Sequence, residues 1–341
     1  MIFVIAYNGA CFAHGRKMTS NCTLKHSTSK KKAQVMTYKF FFTSALLVIA
    51  TFSFCSSQSF CQETSPNKIL FFSRSQGFEH SPIKNNEDGE NVAGKTLQKI
   101  GQELGYEVVC TKDGRVFDGD LTQFKAFVFY TSGDLDKEGG DGQAPMSETG
   151  VKKMYEAIRN GVGLLGFHSA TDTWRHNSGY KIDPYYDMTD YIKVMGGEFI
   201  THGEQQEATI EVVDDSLPSL KKRKPSWRAY DEWYANKNFA PEMRVLATLQ
   251  TAGMKNQERN QCYDRPAFPC IWQRFEKKGP VVYCAFGHND VFWTNGENDD
   301  LLADLLKIVT GDVKISTDPN LTQACPGANM LQNSWATGKI E

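Results

Sequence analysis

The chain has 341 residues, of which 40% are hydrophobic and 23% are charged, and its formal net charge is −2. This balance is that of an ordinary globular protein with a sizeable core. Because the sequence has no basic excess, its composition argues against binding to nucleic acid or to an anionic membrane surface.

Residues 1–61 have the character of an export signal with a dispensable amino-terminal extension. Residues 40–54 form an apolar run that follows four nearby lysines. A basic flank before an apolar run of this length is typical of a secretory signal, since a membrane span needs about twenty residues. The alternative is an uncleaved amino-terminal anchor. We therefore expect a periplasmic or secreted protein with no transmembrane segment once the signal is removed.

Nine cysteines are present, and four of them lie in this amino-terminal region. Export permits disulfides, and Cys262 with Cys270 is the local candidate pair. Cys110 and Cys284 fall inside apolar strand runs, where buried free thiols are expected. Disulfides are therefore not expected to organise the fold.

From residue 68 onward, short apolar runs alternate with amphipathic segments. Leu97 and Ile100 recur at helical spacing after the first run, and a second helix is expected to begin after Ser147 and to end at Gly161. The predicted strands of this first part are residues 69–72, 106–110, 126–130 and 162–167.

After the fourth strand the pattern loosens into longer loops. Alternating apolar strands and helices predict an α/β fold of the flavodoxin-like, doubly wound type, a mostly parallel sheet in three αβα layers. The predicted domain covers residues 66–315 and is followed by a polar tail at residues 316–341. The later predicted elements are a helix ending at 196–197, strands at 208–213, 245–249, 270–275 and 281–286, and a helix at 301–309.

Five of the seven histidines fall in this domain, and none of them is on a predicted helix. His80 lies in the loop after the first strand, while His168 and His288 directly follow the fourth and the last strands. His202 comes shortly after a glycine pair. In open parallel sheets, ligands bind beyond the carboxyl ends of the strands. We therefore expect these imidazoles to gather in one crevice.

His168 lies within the segment GLLGFHSA at residues 163–170, where small residues flank a predicted strand-to-loop corner. Hydrolases with a G-x-S-x-G motif present their nucleophile at the same kind of corner. An imidazole at this position would act as a general base or as a metal ligand. The alternative is a histidine that only orders neighbouring loops through hydrogen bonds.

Two adjacent carboxylates, Asp231 and Glu232, stand beside aromatic residues in the segment DEWY. This combination suits a polar substrate with apolar ring faces, such as a sugar. A carboxylate here would orient an imidazole, bind a metal or transfer a proton. Because neighbouring side chains diverge, only one of them is expected to face the site. The alternative is a capping or salt-bridged pair beside core aromatics.

A divalent metal such as zinc is compatible with three imidazoles and a carboxylate at one crevice. The candidate ligands are His168, His202 and His288, and the candidate catalytic residues are His168, Asp231 and Glu232. The candidate substrate contacts are His80, Asp172, Tyr186, Trp233 and Trp293.

Several common catalytic motifs are missing from the sequence. No G-x-G-x-x-G follows the first strand and no phosphate-binding G-x-x-x-x-G-K-[ST] occurs, which argues against dinucleotide and nucleoside triphosphate binding. The serine motif G-x-S-x-G and the zinc motif H-E-x-x-H are also missing.

The series of motifs resembles the ThuA-like (trehalose utilisation) family over roughly residues 68–311. This family resembles the class I glutamine amidotransferase-like superfamily, in which a nucleophilic cysteine occupies the strand-end corner. Since His168 stands there, a glutamine amidotransferase is not expected. The resemblance rests on GFEH at 77–80, GLLGFHSA at 163–170, GGEF at 196–199 with His202, DEWY at 231–234 and YCAFGH at 283–288.

The resemblance implies a role in sugar metabolism, associated with oxidised (3-keto) disaccharides and often with exported proteins. We expect an enzyme that acts on a disaccharide or keto-sugar derivative by hydrolysis, elimination or isomerisation. The alternatives are a non-catalytic carbohydrate-binding or sensor protein and a subunit that works beside a sugar dehydrogenase. The expected ligand is a small carbohydrate, and a homo-oligomer is compatible with the sequence.

Overall fold

A computed structural model describes residues 67–176, 179, 181–256 and 262–330. All of these residues fall within one compact unit. The predicted signal and extension at residues 1–61 lie outside the described residues, and so does the end of the predicted tail.

The main sheet is built from the short apolar segments that the sequence predicts as strands. Its strands are β1 Lys68–Phe72, β2 Glu107–Thr111, β3 Phe124–Phe129, β4 Gly163–Phe167, β6 Gln206–Val212, β7 Ser226–Asp231, β9 Arg244–Gln250, β10 Phe268–Glu276 and β11 Gly279–Cys284. They lie in the order β2-β1-β3-β4-β11-β10-β9-β6-β7, and β5 Glu198–His202 pairs with β8 Tyr234–Lys237 in a separate two-stranded sheet.

The strands β2, β1, β3, β4 and β11 pair in parallel, and β10 and β6 run opposite to the other strands of the sheet. Nearly every residue of β1, β3, β4 and β11 is buried, as expected for parallel strands that are covered on both faces. The predicted α/β fold with a mostly parallel sheet is therefore confirmed.

Helices flank the sheet and begin where the sequence supplies caps. The side chain of Ser147 accepts a hydrogen bond from the backbone N–H of Gly150, and Gly161 ends the same helix with φ +123°. No helix among the described residues is both long and apolar enough to cross a bilayer. The helices are α1 Val92–Glu103, α2 Glu148–Asn160, α3 Asp190–Met195, α4 Pro218–Arg223, α5 Asp290–Thr294, α6 Asp299–Thr310 and α7 Leu321–Ala324.

The sequence did not predict β5, β7 and β8. β7 has alternating exposed and half-buried residues at the edge of the sheet, so it has no apolar run to mark it. β8 is four residues long and contains both an asparagine and a lysine, which the pairing with β5 buries. Neither β7 nor β8 is therefore recognisable from its local sequence, because each is defined by pairing with another segment of the chain.

The predicted pairing of Cys262 with Cys270 is not formed, since no disulfide joins any of the described cysteines. Cys270 lies in the buried strand β10, and burial raises the pKa of the Cys262 thiol to about 12. Both cysteines therefore act as small apolar core residues.

The described part of the predicted polar tail is anchored to the domain. The Asn320 side chain accepts a hydrogen bond from the N–H of Val245 at 2.6 Å and donates one to its carbonyl at 3.0 Å. Leu321 and Cys325 are buried. Residues after α6 thus add to the packing over β9.

Candidate functional site

Three histidines and one glutamate meet at one edge of the sheet. One potential ligand atom from each of His80, His168, Glu232 and His288 lies within 4.8 Å of the others. His168 directly follows β4, Glu232 directly follows β7, and the other two lie in loops after β1 and β11. Because these strands run in the same direction, their carboxyl ends bring the four side chains together. We call these four residues the His/Glu cluster.

The corner at His168 has the tight geometry that its small neighbours suggested. His168 adopts φ +43°, and a Cβ at Gly166 would come within 2.9 Å of the Ala170 side chain. The hydroxyl of Tyr283 donates a hydrogen bond to the His168 carbonyl at 2.7 Å. These contacts hold a fully buried imidazole at the strand end.

One backbone carbonyl fixes the tautomer of His168. Its Nδ1 lies 3.2 Å from the carbonyl oxygen of Ala285. Since a carbonyl can only accept, Nδ1 carries a proton, and Nε2 is the ring nitrogen that can offer a lone pair to the cluster. Such a tautomer suits a metal ligand or a general base.

Three atoms of the cluster have the spacing of ligands around one small cation. Glu232 Oε2 lies 3.1 Å from His288 Nδ1 and 3.6 Å from His168 Nε2, and the two imidazole nitrogens are 3.3 Å apart. Ligands bound tetrahedrally to zinc at 2.0–2.1 Å lie about 3.3–3.4 Å from one another. The three atoms therefore match one face of a tetrahedral metal site.

His80 lies beside this face as a neutral ring. Burial, with smaller contributions from His168 and His288, lowers the pKa of His80 to about 2. Its Nε2 is 3.4 Å from the hydroxyl of Tyr234, and its Nδ1 has no hydrogen-bond partner among the described residues. An unused nitrogen on a buried ring is available to a ligand held in the site.

Glu232 is the acidic centre of the cluster. Burial alone would raise the pKa of Glu232, but its contacts with His168 and His288 outweigh burial and hold that pKa well below its usual range. Burial would likewise lower the pKa of His288, whereas its contact with Glu232 raises it. The site therefore contains a carboxylate among imidazoles.

The carboxylate of Asp231 points away from the cluster and binds backbone N–H groups of the cluster residues Glu232 and His288. Its carboxylate accepts hydrogen bonds from the N–H groups of Glu232 at 2.8 Å, Gly287 at 2.9 Å and His288 at 3.2 Å. Only one of the two adjacent carboxylates faces the cluster, and that one is Glu232. Asp231, which the sequence suggested as catalytic, therefore occupies a positioning role in this structure, because its oxygens are used by three backbone donors.

His202, a predicted metal ligand, lies outside the cluster. Its Nδ1 is 2.9 Å from the carbonyl of Gly203 and 3.3 Å from Glu232 Oε1, the oxygen that does not face His168 and His288. Of the three predicted ligands, the structure brings His168 and His288 together. Glu232 takes the place that the sequence assigned to His202.

The two tryptophans predicted to stack on a sugar are buried. The indole N–H of Trp233 donates to the Gln206 carbonyl at 2.8 Å, and that of Trp293 donates to Gly287 at 3.0 Å. Gly287 has φ +119°, and a Cβ there would approach the Trp293 ring to 3.0 Å. The tryptophans thus shape the strand-end turns, and both rings are buried in this structure.

The other two predicted substrate contacts lie at the periphery. Asp172 forms an ion pair with Arg175 at 2.8 Å, and burial raises the pKa of Asp172 to about 6. Tyr186 is 79% exposed. Tyr234, which belongs to the DEWY segment but not to the predicted substrate contacts, lies against the cluster, with its ring centroid 4.1 Å from that of His168.

Comparisons with known proteins agree with this architecture. A family model described as ThuA, trehalose utilisation, matches residues 68–304. A solved structure of a ThuA-like protein from Bacteroides uniformis is 17% identical with a TM-score of 0.51, over 72% of this chain and 92% of that one. A ThuA-like protein from Parabacteroides merdae is 20% identical with a TM-score of 0.48, over 74% and 92%. No curated protein matches the chain significantly.

Proposed function

Because this chain belongs to the ThuA family of trehalose utilisation, we propose that it is an exported enzyme that acts on a disaccharide or a keto-sugar derivative. The observation that carries this proposal is the His/Glu cluster, in which two imidazole nitrogens and a carboxylate oxygen converge at 3.1–3.6 Å. Export is supported by the apolar run at residues 40–54 behind a lysine-rich flank.

The proposed cofactor is a divalent metal such as zinc, held by His168 Nε2, His288 Nδ1 and Glu232 Oε2. Catalytic zinc sites use three protein ligands and leave a further position for water or substrate. Two imidazoles and one carboxylate form such a set, and Nε2 of His168 already faces inward while Nδ1 contacts the Ala285 carbonyl. When bound, the ion would polarise a sugar oxygen as a Lewis acid.

The remaining residues supply proton transfer and orientation. Reactions of keto sugars need a proton to be moved near a carbonyl and the developing charge on oxygen to be stabilised. His80 offers an unused nitrogen inside the site, and Glu232 Oε1 contacts the half-exposed His202 at 3.3 Å. Through these side chains a proton would move between the cluster and its rim. Asp231 meanwhile holds the backbone N–H groups of Glu232 and His288 in place.

The test is turnover with and without metal. We expect the purified protein to convert 3-keto-trehalose, and we expect the rate to fall at least about tenfold after chelation and to recover with zinc. A zinc-saturated chelator is the matched control. Tight sugar binding without any product would favour a non-catalytic carbohydrate-binding protein, and turnover that the chelator leaves unchanged would contradict the metal.

A further inference from the structure

A second concave surface lies between the loops after β3 and β4 and the first turns of α2 and α3. It is a cavity of ≈ 630 Å³. Small-molecule sites typically enclose about 300–1,000 Å³. Aromatic rings of Trp174 and Tyr155 line the cavity, and the carboxylates of Asp134 and Asp190 lie on its rim. None of these residues belongs to the cluster.

Trp174 is held in an unfavourable backbone conformation within this cavity. It has φ +44°, which a residue with a Cβ keeps only where its surroundings fix it. Its backbone N–H donates to Gly133 at 3.1 Å, and its indole N–H donates to Asp136 at 2.7 Å. The ring edge also packs on Tyr191 at 5.5 Å. The indole therefore forms a rigid wall.

A chain of close contacts connects the cavity to the cluster. Arg175, which lines the cavity, places its guanidinium 5.2 Å from the ring of Phe199. Phe199 lies 4.0 Å from Tyr234, and Tyr234 lies 4.1 Å from His168, each measured between ring centroids. The two surfaces are thus linked at the carboxyl edge of the sheet by three successive side-chain contacts.

We propose that this cavity binds one pyranose ring of the disaccharide while the other ring reaches the His/Glu cluster. This inference rests on the proposed function and names where the second ring lies. A pyranose has an apolar C–H face that packs on an indole, and its hydroxyls donate to carboxylates. Trp174 supplies the face, and Asp134 and Asp190 supply acceptors.

The inference can be tested with a variant whose larger side chain fills the cavity and leaves the residues of the His/Glu cluster unchanged. Val151 is half-buried and lines the cavity on α2, whereas Glu156 is exposed on the same helix and does not line it. We expect Val151→Trp to weaken trehalose binding, measured by calorimetry, at least about tenfold, while Glu156→Trp changes it less than twofold. Asp134→Asn, at an exposed position, should weaken it several-fold with no effect on folding.

The outcomes separate this inference from the proposed function. Wild-type trehalose affinity in Val151→Trp and Asp134→Asn would overturn the subsite and leave the proposed role of the His/Glu cluster unaffected. Loss of trehalose binding in Val151→Trp would support the subsite. Absence of turnover of any oxidised disaccharide by the wild-type protein would refute the enzymatic proposal but would leave this support for the subsite in place. A wild-type protein that binds no trehalose would overturn the subsite.

Discussion

Replacing Glu232 with glutamine is expected to abolish metal binding and turnover together. The glutamine keeps the size of the side chain but removes the charge that faces His168 and His288 at 3.6 and 3.1 Å. Loss of a residue that only supports a metal ligand costs about 10–100-fold in metal affinity. For a direct ligand we expect a loss of more than about 100-fold in zinc affinity and about 1,000-fold in turnover.

The matched control for this variant is Glu204→Gln, a change of the same chemistry at an exposed position nearby. Zinc content can be measured by elemental analysis and zinc affinity by competition with a chelating dye. If Glu232→Gln kept one tightly bound zinc per chain, the assignment of Glu232 as a ligand would be wrong.

Replacing Asp231 with asparagine is expected to loosen the site without removing any ligand. An asparagine offers one carbonyl oxygen where three backbone N–H groups now share a carboxylate, and its amide group would face donors. Hydrogen bonds to charged groups contribute about 1.5–3 kcal/mol each. We expect a loss of about 2–4 kcal/mol in the free energy of unfolding, measured by urea denaturation.

If Asp231 positions the metal ligands, the Asp231→Asn variant should also bind zinc more weakly. At a temperature where Asp231→Asn is fully folded, its zinc affinity should still fall about 10–100-fold, because the backbones of Glu232 and His288 lose their shared anchor. Asp290→Asn, an exposed change two residues beyond His288, is the control. A destabilised variant with unchanged zinc affinity would mean that Asp231 supports the fold alone.

Much of the site follows from local sequence pattern. The apolar runs before His168 and His288 predict strands, and parallel strands place the residues at their carboxyl ends along one edge. His80 belongs to the same edge because it lies in the loop after β1. The predicted direction of these strands therefore brings three imidazoles together at one edge on sequence pattern alone.

The choice between His202 and Glu232 depends on contacts between distant segments. His202 ends β5, which pairs with β8 rather than with the main sheet, so the ring reaches Glu232 from outside. Local pattern gives no register for that pairing. The same holds for Trp233 and Trp293, since an aromatic residue at a strand end can turn to the crevice or to the core.

Anomalous diffraction at the zinc edge, from crystals of the zinc-loaded protein, would locate a metal in the His/Glu cluster directly. We expect one peak at about 2.0–2.2 Å from each of His168 Nε2, His288 Nδ1 and Glu232 Oε2. A cluster with no peak, or a zinc ion coordinated through His202 away from His168, would contradict this assignment of the ligands.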